Sequence, residues 1–242
     1  MIPLKDIEKL ITKYQAVRGT IIREYCQHLF LSFLYEAPMS GHLLFKGGTA
    51  LRIVLKSPRF SEDLDFDGYH IRFDEIEAII EHVLGEVEKM GIGVSLGESK
   101  KTTGGHIMLA DFTLHEEVIQ IKIEISLRDK YTQKEGTLAL IESEYIPDYN
   151  LIHLALPLLI QGKLDALFAR QKPRDFYDFF FLLSANYPEV KNRDVLEKVR
   201  TLTKETDINF RAELAKFLPA SQSMILRDFK TTLLAKINQF LG

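Results

Sequence analysis

The sequence has little that would stabilise it from outside its own core. Among its 242 residues there is one cysteine, Cys26, so no internal disulfide can form and the chain suits a reducing compartment. Cys26 sits in an apolar helical stretch, where a small buried hydrophobe fits better than a nucleophile. No apolar run is long enough to span a bilayer; the longest, around 151–160 and 176–183, are short and interrupted. The start, Met1-Ile2-Pro3-Leu4-Lys5-Asp6, lacks the basic-then-apolar order of an export signal. Internal repeats and low-complexity segments are missing too. These absences imply a soluble cytoplasmic protein with no membrane partner.

What is present supports a packed core: 46% of residues are hydrophobic and 27% charged. The net charge of −3 conceals an asymmetry. Residues 151–242 carry 14 Lys and Arg against 10 Asp and Glu, while residues 1–150 carry 17 against 24. An acidic first part suits cations and a basic second part suits phosphates, although imbalances of this size are common.

The hydrophobic pattern predicts an α+β chain. Ile22, Cys26, Leu29 and Phe33 repeat at helical spacing in the first forty residues. Leu43-Leu44-Phe45-Lys46 is a short strand ended by Gly47-Gly48. A short helix follows with Thr49 as its N-cap. Residues 61–69 alternate as a strand, and 74–90 form an amphipathic helix. Strands are predicted at 92–96, 106–114, 118–127 and 137–141, the middle two forming a hairpin with a Glu116-Glu117 turn. From about Leu158 onward the pattern is helical, with breaks near Pro173, Pro188, Asp207 and Pro219. The expected layout is a mixed-sheet domain with N-terminal helices over 1–150 and a helical bundle over 151–242.

Chemistry concentrates in Phe60-Ser61-Glu62-Asp63-Leu64-Asp65-Phe66-Asp67. On a strand, Asp63 and Asp65 share one face while Leu64 and Phe66 point to the core. Two carboxylates about 7 Å apart repel, and a hard divalent cation, Mg²⁺ or Mn²⁺, offsets that repulsion. An acidic pair alone also suits a solvated strand end. The Gly47-Gly48-Thr49 turn upstream favours the functional reading, because it offers backbone N–H groups to a phosphate. A third acid is needed for nucleotide transfer. Glu124 is a candidate, since Ile121, Ile123 and Ile125 take the buried face of its strand; Asp111 on the partner strand is the rival. Lys163, Arg170 and Arg174 share roughly one helical face if the helix continues through or kinks at Pro173. That row suits a triphosphate or nucleic acid, or a solvated face paired with Asp165 and Asp175.

Two blocks, Phe45-Lys46-Gly47-Gly48-Thr49-Ala50-Leu51-Arg52 and Arg59-Phe60-Ser61-Glu62-Asp63-Leu64-Asp65-Phe66, resemble the AbiEii family of toxin nucleotidyltransferases, in the DNA polymerase β-like superfamily. A third, from Lys163-Leu164-Asp165-Ala166-Leu167 through Arg170 to Arg174-Asp175-Phe176-Tyr177-Asp178, resembles the family's helical motif. The resemblance covers about residues 40–185. It implies that Asp63, Asp65 and Glu124 are catalytic and bind metal, with Lys163 contacting the triphosphate. It assigns nucleotide binding to Lys46, Gly47, Gly48, Thr49, Arg59, Ser61, Arg170, Arg174, Asp175 and Asp178, with Asp175 and Asp178 orienting the basic residues or acting in catalysis. The implied activity is transfer of a nucleotide from an NTP to a hydroxyl on RNA, with tRNA the favoured acceptor. The implied setting is a type IV toxin with an antitoxin encoded nearby, some relatives acting in phage defence. A small-molecule acceptor and a non-catalytic nucleotide-binding module remain as other readings.

Overall fold

The computed structural model describes residues 1–128, 132 and 134–242 and resolves them into two units. The first is Met1–Lys56 with Phe60–Ala155; the second is Leu156–Gly242 with Ser57–Arg59. Among the described residues the elements of the first unit are α1 (Leu4–Tyr14), α2 (Arg18–Leu34), β1 (Leu43–Lys46), α3 (Gly47–Ile53), β2 (Leu64–Gly68), α4 (Phe73–Lys89), β3 (Gly93–Thr102), β4 (Gly105–Leu114), β5 (Glu117–Ser126), β6 (Gly136–Ile141) and β7 (Tyr149–Leu154). The strands form one mixed sheet in the order β3-β4-β5-β2-β1-β7-β6. The chain is α+β, as the element pattern implies.

Strand alternation fixes which face of this sheet is buried. Leu64 pairs with Ile123 and Phe66 with Ile125 across the parallel β2–β5 ladder, and all four are at most 1% exposed. Phe45 and Phe66, paired across β1 and β2, place their rings 5.5 Å apart. Helix α2 packs against α4, β5 and β7. Its buried residues include Ile21, Ile22, Tyr25, Cys26, Leu29, Phe30 and Leu34, which wrap most of its circumference. The expected single stripe is therefore too narrow, and Phe33 lies outside the buried set. Burial pushes the Cys26 thiol up to about 12, the behaviour of a packing residue. Helix α4 buries Ile76, Ile79, Ile80, Val83, Leu84 and Val87, as its periodicity predicts.

The structure departs from the sequence reading at several ends. Strand β7 overlaps the start of the apolar run at 151–160, whose pattern does not separate strand from helix. Strand β3 continues to Thr102 through a bulge at Leu96/Glu98, because pairing with β4 sustains a largely exposed strand without alternation. The hairpin turn is His115-Glu116, with Leu114 paired to Glu117. Both turn residues have positive φ, 48° and 69°, which a two-residue hairpin requires.

In the second unit α5 (Leu156–Arg170), α6 (Pro173–Ser184), α7 (Arg193–Glu205), α8 (Phe210–Leu214), α9 (Ser223–Arg227) and α10 (Phe229–Leu241) assemble around aromatic rings. Phe210 lies 5.4 Å from Phe176 and 5.0 Å from Phe229, and Phe229 stacks on Tyr177 at 5.9 Å, centroid to centroid. Gln171 adopts φ of 50° and Pro173 opens α6. Lys163 and Arg170 on α5 are thus not continuous with Arg174 on α6, and the expected basic row is broken. Among the described residues no helix is long and apolar enough to cross a membrane.

Acid sensitivity is built into the core of the first unit. His28 is 5% exposed and shares a 2.9 Å hydrogen bond with the Tyr149 hydroxyl. Burial is the main cause that lowers its pKa to about 4; Glu24 opposes this, and Lys56 and Arg52 reinforce it. The unfolded chain, with His28 near 6.5, takes up the proton first. Its contribution to stability therefore falls as pH drops below 6.5 and levels off near 4. Urea unfolding of His28→Asn across that window is expected to show a shallower pH dependence than the parent.

Candidate active site

Asp63, Asp65 and Glu124 come together on the polar face of the sheet. Asp65 and Glu124 are register partners on adjacent parallel strands, so their side chains stand side by side. Asp63 lies just before β2 and not within it, since the strand begins at Leu64. Two contacts hold that entry segment. The Thr49 hydroxyl donates to the Asp63 carbonyl oxygen, and Gln27 Nε2 on α2 donates to the carbonyls of Ser61 and Glu62 at 3.1 and 3.2 Å. Thr49 is therefore no N-cap: α3 starts at Gly47, with Lys46 in the cap position and no side-chain cap.

Gly47 explains the turn. Its φ is +83°, and a Cβ there would lie 2.0 Å from Asp65 Oδ2 and 2.8 Å from Asp65 Cβ. Only glycine combines that backbone conformation with the close approach of the carboxylate. The rival third acid, Asp111, pairs with Gln120, while Glu124 pairs with Ile107. Asp111 thus lies four residues along the strand from the level of Glu124, and it accepts a 2.9 Å hydrogen bond from Gln120 Nε2.

Cations balance these acids. Lys122, two residues before Glu124 on β5, places Nζ 3.0 Å from Glu124 Oε2 and 3.4 Å from Asp63 Oδ2. Burial pulls its pKa down, but the hydrogen bond it donates to Glu124 and the charges of Asp63, Glu124 and Asp65 outweigh it and raise the net value. Lys46 reaches Asp67 Oδ1 at 2.5 Å, and Lys134 reaches Asp67 Oδ2 at 2.8 Å. Burial raises the Asp67 pKa, and these two ammonium groups more than reverse that. Lys122, Lys134, Asp67 and Gln27 were not singled out from sequence. Lys122 carried a readable signal, since it shares the face of Glu124 at i−2, whereas Lys134 and Gln27 reach the site only through the fold.

A groove of about 380 Å³ borders Glu124 and is lined by Lys46, Gly104, Gly105, Ser126 and Arg128. A second cleft of about 390 Å³ lies around Tyr14, Glu24, Arg52 and Tyr145 and contains none of the three acids. Its buried charge is internally satisfied: Glu24 accepts from Arg52 Nε at 2.6 Å and from the Tyr145 hydroxyl at 2.6 Å.

The remaining candidates lie in the second unit. Arg59 donates to both oxygens of Asp178, at 2.7 and 2.9 Å, and Lys163 Nζ lies 3.0 Å from Asp178 Oδ2. The side chains of Arg59, Lys163 and Asp178 are 3%, 10% and 1% exposed. Burial raises the Asp178 pKa, and the two cations overcome this to leave it below the usual carboxylate value. Arg170 forks onto Asp175, with Nη2 to Oδ1 at 2.7 Å and Nε to Oδ2 at 2.9 Å. Asp175 also accepts from the Lys172 backbone N–H at the start of α6. Asp165 accepts from Gln161. Asp178 thus orients Lys163, and Asp175 orients Arg170.

Asp63, Asp65 and Glu124 are oxygen donors of the type a hard cation takes, and Lys122 stands as a positive charge between Asp63 and Glu124. Among the described residues no group of three or more Asp, Glu, His or Cys side chains is arranged to hold a metal ion alone. A Mg²⁺ site needs no such cage when one or two carboxylates and substrate phosphates share the coordination.

Gly47→Ala is expected to cost about 1–3 kcal/mol in urea unfolding, from the positive φ and the clash with Asp65. Asp178→Asn is expected to cost about 3–5 kcal/mol at neutral pH, because it removes the buried carboxylate that Arg59 and Lys163 share. Since the folded pKa of Asp178 is depressed, that difference holds down to pH 3.8 and narrows as pH falls further, through the folded value. Unfolding curves of both proteins across that range test the sign.

Comparison with known proteins agrees with the geometry. The family described as nucleotidyl transferase AbiEii toxin, type IV TA system, matches residues 30–236. A structure from Helicobacter pylori, provisionally described as a nucleotidyltransferase, is 23% identical, covers 92% of this chain and 94% of its own, and superposes with a TM-score of 0.63. JHP933 from the same organism is 24% identical, covers 93% of each chain, and also gives 0.63. At these identities the likeness is one of fold. No curated protein matches the chain. The family match extends over most of the sequence and contains every acid of the site, and the chain belongs to the AbiEii family of nucleotidyl transferase toxins of type IV toxin–antitoxin systems.

Proposed function

We propose that the protein is a divalent-cation-dependent nucleotidyltransferase that transfers a nucleotide from an NTP to a hydroxyl of RNA, with tRNA the preferred acceptor. The observation that carries this reading is the pairing of Asp65 with Glu124 beside Asp63 on one sheet face. Asp63 and Asp65 would hold Mg²⁺ or Mn²⁺, which supplies charge neutralisation to the triphosphate.

The chain's own residues account for the rest of the chemistry. The attacking hydroxyl oxygen forms a bond to the α-phosphorus, the α–β bridging P–O bond breaks, and pyrophosphate departs with that electron pair. Glu124 would accept the hydroxyl proton as the new bond forms. Gly47 keeps the turn before α3 open to a phosphate, because no side chain covers the backbone there. Thr49 acts through the Asp63 carbonyl, holding the acid in position. In the setting this reading implies, the protein works in the cytoplasm, is restrained by an antitoxin encoded nearby, and contributes to phage defence.

Incubation with each labelled NTP and total RNA is the test. Label is expected in RNA, lost with EDTA, and reduced to the enzyme-free level in Asp63→Ala and Asp65→Ala variants that melt like the parent. NTP turnover without labelled RNA would point to a small-molecule acceptor. NTP binding without turnover on any acceptor would make the protein a binding module.

A further inference from the structure

Lys122 occupies a position that the chemistry of the site makes unusual. Asp65 and Glu124 pair across β2 and β5, Asp63 lies just before β2, and Lys122 on β5 reaches into this group of acids. Lys46 and Lys134 are both engaged by Asp67. Lys122 Nζ instead spans the first and third acids, 3.4 Å from Asp63 Oδ2 and 3.0 Å from Glu124 Oε2. The contact uses one oxygen of Asp63 and leaves the carboxylate a second oxygen for an ion shared with Asp65.

A second divalent ion bridging Asp63 and Glu124 would need the volume this ammonium fills. The lysine is tethered to β5 at i−2 from Glu124, on the same face, so it cannot diffuse away as a water or free ion would. A divalent ion would meet it at close range as a like charge.

We propose that Lys122 is the built-in second cation of this site: its ammonium holds Asp63 and Glu124 in place of a second divalent ion. The site then takes up a single divalent ion, on Asp63 and Asp65, together with the NTP. Lys122 is a positioning residue on this account, holding Glu124 beside Asp65. The inference rests on the reading of Asp63 and Asp65 as a cation site.

Counting Mn²⁺ bound to the full chain tests this. The protein is titrated with Mn²⁺ in the presence of a mixture of non-hydrolysable analogues of the four NTPs, and free Mn²⁺ is followed by electron paramagnetic resonance. One ion per chain is expected for the parent and for Lys122→Arg, and two for Lys122→Met, with Lys122→Gln as the substitute if the methionine variant fails to fold. Two ions in the parent would overturn the role of Lys122 while leaving the nucleotidyltransferase reading intact. One ion in parent and Lys122→Met alike would also overturn it, since the lysine would not be what excludes the second. No bound ion in the parent would overturn the cation reading on which the inference rests.

Discussion

Mutual repulsion of carboxylates on one face of the sheet is the constraint around which the first unit is organised. At about 4 Å, two like charges near a protein surface repel by about 4 kcal/mol. Parallel pairing of β2 with β5 nevertheless sets Asp65 directly beside Glu124. The pairing survives because its opposite face buries Leu64, Phe66, Ile123 and Ile125, each worth about 1.5–3 kcal/mol when removed from water. Lysines interleaved on the polar face absorb much of what remains: Lys122 between Asp63 and Glu124, and Lys46 with Lys134 on Asp67. The hydrophobic face thus secures an acidic cluster that would not assemble on its own.

The same logic recurs within the second unit, with stricter accounting. Asp178 is almost fully buried, and a lone carboxylate there would shed its charge. Two donors from Arg59 and one from Lys163 keep it ionised and, reciprocally, fix both cations in place. Asp175 serves Arg170 and also caps α6, tying a charge pair to a helix start. Such clusters add little net stability, yet removing one member is costly. Their value lies in orientation.

Legibility followed the strength of local pattern. Helix α4 and the β4–β5 hairpin were readable because one periodicity dominates each, and Gly47 stood out because glycine doublets end strands. β7 was hidden where an interrupted apolar run leads straight into helix α5, and β3 in a polar run that its partner β4 holds extended. The Asp63/Asp65 pair and Glu124 were visible as residue types at strand spacing. Arg59 and Lys163 were visible only as basic residues near nucleotide-like motifs. Their joint hold on Asp178 is a contact across 119 and 15 residues of chain.

By itself the sequence determined the alternation that puts Asp65 and Glu124 opposite the apolar positions of their strands, and the glycine turn that leads to them. Family membership was also written there, in residues that sit close together in the chain. Only the tertiary structure decided that Glu124 rather than Asp111 stands next to Asp65, and that Lys122 lies between the acids. The reason is physical: side-chain direction along a strand is a local property of the backbone, whereas strand order and register are set by which apolar faces bury best together.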